Sequence, residues 1–413
     1  MLRPHRSTRP TGSHRRPGTP STGRWRRRTA LLAAVPLLAS CSLFRPPPVP
    51  DVGDASSASS GPVGYVVCPS AVTPIELSTG TAEADIDLPI TGSPSLGDYA
   101  IATSPDGTRA YVVTSDGVAA SGSPATSAIP ATTGATPGAA SQPGLPGSEN
   151  VVIPIDLLSQ RAGRPIVIPG DGGTHGIVVG PGGTIVYAVS GSTVVPVDVD
   201  TRRVGTPVNV GATHPIFGLV ENPSATMLYA LVAGGVFPIS LATGAVGAPI
   251  VTGLSVSSVY SPHGIAISAD GSTLYTVGEV STGSGGRIAA ASTSTGVVGP
   301  VGSFDAFGVG TPSAVTLLPN GTAAFVTDLG NNWVDPVPIS RTLAPNPPVR
   351  LPASGDGMAI EHPSDIVLEG SGPQSYVVAG FDSVLPFNVA TQQYGNAIPV
   401  CQGASSMAVT VTP

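Results

Sequence analysis

The sequence predicts an all-β protein made of seven copies of one four-stranded antiparallel sheet, and two recurring strands with a recurring turn predict it. The first strand carries a central aromatic: Tyr65, Tyr111, Tyr187, Tyr229, Tyr275, Phe325 and Tyr376 sit in GYVVC, AYVVT, VYAVS, LYALV, LYTVG, AFVTD and SYVVA. Short β-branched and aromatic runs of this kind favour strands. The second carries proline before an apolar residue, at Pro74-Ile75, Pro154-Ile155, Pro196-Val197, Pro238-Ile239, Pro336-Val337 and Pro386-Phe387, with a degenerate copy at Arg287-Ile288-Ala289-Ala290. An interior proline cannot donate to a ladder, so an irregular pairing is expected there. The turn ends a further strand, as in IATSPDG (101–107), IAISADG (265–271), Pro181-Gly182-Gly183 and Pro319-Asn320-Gly321. Gly, Asn and Asp supply the backbone angles that hairpin turns require.

A shorter fourth strand closes each copy, for example Arg164–Ile168 and Ala248–Val251. Four antiparallel strands repeated every roughly 40 to 50 residues form the blade of a β-propeller. Innermost strands begin near Tyr99, His175, His214, His263, Ser313, Ser364 and Ser405, which makes seven. The strand at Tyr65 has no innermost strand before it, and the strand at Met407–Val411 has nothing after it. One closure blade is therefore expected from three N-terminal strands and one C-terminal strand, leaving no open sheet edge.

Ahead of the repeats lies an address. Arg24, Arg26, Arg27 and Arg28 precede an apolar run, Thr29 to Ala39, that ends in Leu38-Ala39-Ser40-Cys41. A basic region, a short apolar stretch and small residues before a cleavage point make a secretory signal over residues 1–40. The run is too short for the roughly 20 residues of a spanning helix. Leu-Ala-Ser-Cys resembles the bacterial lipobox, which implies cleavage before Cys41, acylation (palmitate) of its thiol and attachment to the outer face of the cell membrane. Arg27-Arg28-Thr29-Ala30-Leu31-Leu32 resembles a twin-arginine signal, leaving the export route open between that and the general one. Residues 41–63 hold the lipidated cysteine and a Pro/Ser/Ala/Gly-rich tether that cannot bury a core. Fully extended, it reaches roughly 70 Å. The composition, without lysine and rich in Ala, Gly and Pro, resembles actinobacterial proteins.

Charge narrows the partners. Nine of the 18 arginines precede Cys41 and none of the 25 acids do, so the part from Cys41 onward carries nine arginines against 25 acids, a formal −16. That sign disfavours nucleic acid and anionic headgroups and suits a soluble monomer. The expected partners are the membrane, through the anchor on Cys41, and a cell-envelope protein or small-molecule ligand.

The unit GIAISxDG, then YVxT, then VxPID resembles the YVTN-type β-propeller repeat, with Tyr111-Val112-Val113-Thr114 its nearest signature match. The resemblance covers residues 64–413 apart from a Ser/Thr/Ala/Pro/Gly-rich insertion at 115–150, whose composition predicts disorder. It implies architecture and no particular chemistry, because that fold carries many functions.

Functional residues are sought at the mouth of the central channel. His175, His214 and His263 occupy one repeat position in three successive blades, and Tyr99, Ser313, Ser364 and Ser405 occupy it elsewhere. These seven residues are the candidate binding rim. Three imidazoles could converge on a divalent metal such as zinc, while a turn-capping role accounts for the same residues; Glu361 and Asp365 flank the rim two or three blades away. No nucleophile elbow, HExxH or phosphate-binding loop is present, so a ligand- or protein-binding role without a cofactor is expected ahead of a lactonase-like hydrolase using the channel, metal-assisted or not. Glu221, Asn222 and Glu369 fall on the opposite rim. With Cys41 lipidated, Cys68 and Cys401 remain, one at the end of the aromatic strand of the closure blade and the other just ahead of its C-terminal strand. Antiparallel neighbours bring such positions together, so a disulfide is expected between them.

Overall fold

The described residues form seven antiparallel sheets. The computed structural model describes residues 61–90, 98–114, 150–170, 172–212, 215–255, 263–280, 285–308, 310–353 and 360–410. The signal, Cys41, His214 and 115–149 of the predicted insertion lie outside these. Among the described residues there are only strands, turns and bends, and no helix is long and apolar enough to cross a membrane.

The sheets form seven blades, numbered here in chain order. Innermost strands are Tyr99–Thr103, Ile177–Val179, Ile216–Glu221, Ile265–Ile267, Pro312–Leu317 and Asp365–Leu368 in blades 2 to 7. In blade 1 the innermost strand is the C-terminal Ser406–Thr410, which pairs with Val63–Val67 from the other end of the chain, Tyr65 opposite Ala408. Blade 1 is thus the expected closure blade. One apolar cluster fills each of the seven blade interfaces: blades 7 and 1, for instance, meet through Tyr376, Val378, Val66 and Met407.

Local sequence sets the internal geometry of each blade. In six blades the aromatic lies directly opposite the proline of the next strand: Tyr65–Pro74, Tyr111–Pro154, Tyr187–Pro196, Tyr229–Pro238, Phe325–Pro336 and Tyr376–Pro386. Proline offers a carbonyl but no N–H to the outer strand. The carbonyl is used, accepting the N–H of Gly163, Gly205, Gly247 or Gly395 at 2.7–2.8 Å. The missing N–H interrupts the ladder, as expected from the sequence; the fourth strand lies where expected, at Ile166–Ile168 and Ile250–Val251 for example, and in four blades it comes as two short pieces, one on each side of the proline. In blade 2 these are Arg161–Ala162 and Ile166–Ile168. Blade 5 is the control within the chain. There Ala290 replaces the proline, and the outer strand runs unbroken over six residues, Val298–Ser303, with one register shift beside Ala290.

The Cys68–Cys401 disulfide is formed, with Cα atoms 6.0 Å apart. It links the N-terminal strands of blade 1 to the residue that leads into its C-terminal strand. At the predicted insertion, the second strand of blade 2 ends at Thr114 and the third begins at Asn150. Asn150 therefore belongs to the sheet, where its amide donates to Gly172 O and Ser190 Oγ, and the boundary moves by one residue.

Candidate functional site: the histidine rim

Innermost strands start on one rim, and the predicted rim residues that are described lie there. Most of them stitch blades together. Tyr99, buried in blade 2, donates its hydroxyl to Gly403 O of the segment leading into blade 1. Burial pushes its pKa up to about 12; a hydrogen bond with Ser405 opposes this and the Asp98 charge adds to it. Ser405 N also donates to Val67 O at 3.3 Å. Ser313 of blade 6 shares a hydrogen bond with Thr327 Oγ1 at 2.8 Å and donates to Pro363 O, ahead of blade 7, at 3.1 Å. Ser364 stays within its own blade, donating through its backbone N–H to Val378 O at 2.9 Å.

The two described histidines of the trio are each engaged with a carboxylate. His175 is buried, with Nε2 3.8 Å from Asp98 Oδ1 and its ring stacked on Phe217 of blade 4. Gly173 lies so close that a Cβ there would sit 2.3 Å from His175 Nε2, so any side chain at 173 would have to displace the imidazole. His263 Nδ1 lies 2.7 Å from Asp365 Oδ1. Burial alone would lower the His263 pKa, but the Asp365 charge and hydrogen bond outweigh it and leave it raised.

Asp365 is the residue that sequence spacing placed too far away. It lies two blades on from His263 along the ring, with blade 6 between them, yet across the channel mouth they touch. Its side chain is fully buried, and Oδ2 accepts the Met407 N–H of the C-terminal strand at 3.0 Å. One carboxylate therefore ties together blades 5, 7 and 1. A signal was present in the repeats. The residue following each rim position is Ala100, Gly176, Pro215, Gly264, Ala314, Asp365 and Ser406, and only one of these is charged. Asp98, Phe217 and the Gly403 carbonyl carried no such mark.

His362 sits apart on the same rim, exposed and stacked on Phe381 with ring centroids 5.1 Å apart. Among the described residues no three His, Cys, Asp or Glu side chains come together to hold a metal ion. The cation-holding set that a lactonase-like reading requires is therefore not assembled by them. Glu221 and Glu369 lie at the far ends of their innermost strands, on the other rim, as expected from strand order.

No family model and no curated protein matches this chain. Solved structures share its fold. The chain is similar to hydrazine synthase from Kuenenia stuttgartiensis, at 15% identity and a TM-score of 0.58, over 77% of this chain and 91% of that one. It is also similar to a functionally unknown protein from Desulfotomaculum acetoxidans DSM 771, at 12% identity and a TM-score of 0.55, over 85% of this chain and 99% of that one. At such identities the likeness concerns architecture alone.

Proposed function

We propose that the protein is an exported lipoprotein, anchored through acylated Cys41, whose YVTN-type propeller binds a ligand or an envelope protein at the histidine rim. A propeller suits a binding or scaffold role, because rigid blades hold exposed loops in fixed positions. The observation that carries the orientation is strand order. The first strand of blade 1 starts at Val63, opposite Glu76 and Thr410, on the rim opposite the histidines. Thr114 pairs with Tyr99, so the segment that follows it leaves from the histidine rim. A tether on the first rim and a long segment on the second fit a body held with its histidine rim away from the membrane.

Fractionation tests the anchor. Wild type should stay with membranes, since two or more acyl chains hold stably where one does not, and Cys41→Ala should be released. Proteolysis of intact cells should cut first within 115–149. Firm membrane retention of Cys41→Ala would overturn the anchor, and protection of 115–149 with cleavage elsewhere would overturn the orientation.

A further inference from the structure

The arginines of the propeller are unevenly placed. Eight fall among the described residues, and five of these, Arg109, Arg161, Arg164, Arg202 and Arg203, belong to blades 2 and 3; blades 1, 4 and 7 have none. Blades 2 and 3 set their five arginines against five described acids, while the other five blades set three against 14. The net charge of the mature body disfavours an anionic surface on average, and this sector is the exception to the average. Arg109 opens the second strand of blade 2, and Arg161 and Arg203 open the outer strands of blades 2 and 3. Strand order puts all three on the rim opposite the histidines, next to blade 1, where Val63 opens the strand that follows the tether.

The repeats serve as controls for the turn between third and fourth strands. Asp156 pairs with Arg161 as Glu76 does with Thr81, Asp198 with Arg203 and Asn388 with Gln393, so the turns align residue by residue. Ser240 N bonds to Ala245 O and Ser292 N to Val297 O in the same way. At the position of Leu158 these other blades carry Ser78, Asp200, Ala242, Ser294 and Ala390. Leu157 already fills the buried place in its turn, and Leu158 is 84% exposed, more than any other large apolar side chain described. Packing gives no reason for a leucine there.

The charges around it are available. Arg161, Arg164, Arg202 and Arg203 are exposed, and none lies within ion-pair distance of a carboxylate among the described residues. Arg202 donates to Arg164 O and Pro165 O at 2.9 and 2.7 Å, which joins the two blades without cancelling its charge. Arg109 and Arg161 line one cleft with Asp156 and Asp200. The acids of the sector are occupied locally. Asp106 accepts from Thr108, Asp156 from Ser159 and Asp198 from the Thr201 N–H; Asp200 pairs with Arg109, and Glu83 of blade 1 accepts from Gln160. The fifth acid, Asp98, lies on the histidine rim.

We propose that this sector docks on an anionic phospholipid surface, Leu158 entering the boundary between headgroups and acyl chains and Arg161, Arg164, Arg202 and Arg203 meeting lipid phosphates. Interfacial binding combines an inserted apolar side chain with attraction to anionic lipid, and guanidinium groups match phosphate geometry. A protein partner would call for a contiguous apolar centre, whereas here a single leucine projects among cations. The docking rests on the anchored orientation above and names the surface that the rim meets. A tether raises the local concentration of that surface, so a weak contact is enough.

Co-sedimentation of the full Cys41→Ala chain, released from cells, with phosphatidylglycerol or phosphatidylcholine vesicles tests it. The protein should bind phosphatidylglycerol at low salt, come off at high salt and ignore phosphatidylcholine. Arg161→Gln combined with Arg203→Gln should weaken binding about 25-fold, about fivefold for each charge, and Leu158→Ser should weaken it roughly tenfold. Arg287→Gln, one charge lost on the histidine rim, should leave it nearly unchanged. All the arginine-pair and leucine variants should melt with wild type, since these side chains are exposed. Absence of binding to phosphatidylglycerol, equal binding to both lipids, or binding indifferent to the arginine pair and to Leu158→Ser would overturn the docking. Failure of the anchor reads differently, as Cys41→Ala protein that stays on cell membranes through a high-salt wash.

Discussion

Asp335 in blade 6 should make the protein lose stability as pH rises, and replacing it with valine should remove that loss. The residue before the strand proline is Ile153, Val195 and Leu385 in blades 2, 3 and 7, all fully buried. Blade 6 places a carboxyl there with no solvent exposure, and neither oxygen has a hydrogen-bond partner among the described residues. The nearby Trp333 indole tempers the shift but gives its N–H to Asp328. Burial, and next the Asp328 charge, raise the Asp335 pKa to about 8 from 3.8. A raised acid pKa means that the folded state holds the proton more tightly than the unfolded chain. Stability is then greatest below about pH 4, falls between pH 4 and 8, and levels off above. Four units at about 1.4 kcal/mol each set an upper bound of about 6 kcal/mol. A realistic 3–5 kcal/mol corresponds to about 4–7 °C in a body of this size, from about 2 cal/mol/K per residue. Asp335→Val keeps the shape of the site and copies Val195 of blade 3. Thermal melts from pH 5 to 9 should show a Tm gap between variant and wild type that widens up to pH 8. Parallel curves, or a variant less stable than wild type at pH 8, would refute the reasoning, the latter by showing that the carboxylate has a partner.

Three further outcomes are expected. Cys401→Ser should lower the melting temperature, because the crosslink closes a span of 333 positions and the loop-entropy relation gives at most about 5–6 kcal/mol; non-reducing peptide mapping should recover the Cys68 and Cys401 peptides joined. His263→Gln should destabilise more at pH 6 than at pH 9, since a raised histidine pKa contributes below the unfolded value and is lost as pH rises through the folded one; equal loss at both pH values, by thermal melts, would deny the ion pair with Asp365. If His175, His214 and His263 hold a metal, elemental analysis should find it near stoichiometry and His214→Ala should lower both metal content and Tm; metal-free protein that takes up no zinc, copper or nickel leaves the rim a structural belt.

The repeated strands, their count and the closure blade were legible in the sequence because each depends on local chemistry recurring at a fixed period. Aromatic and β-branched runs make strands wherever they occur, and Asp-Gly and Asn-Gly turns make hairpins. The irregular outer ladder was legible for the same reason, because an interior proline has no N–H to give its neighbour. The Cys68–Cys401 pairing was legible for a topological reason: once both chain ends share a blade, the register brings the cysteines together.

Contacts across the channel and between blades were decided only by the tertiary structure. Asp365 and His263 are two blades apart along the ring but meet across its mouth, a distance that repeat spacing does not encode. The cost of Asp335 arises from what surrounds it. Repeat position told which residues share a rim. What each one touches depends on the curvature of the closed ring and on the volumes that its neighbours leave unfilled, and these exist only once all seven sheets have packed.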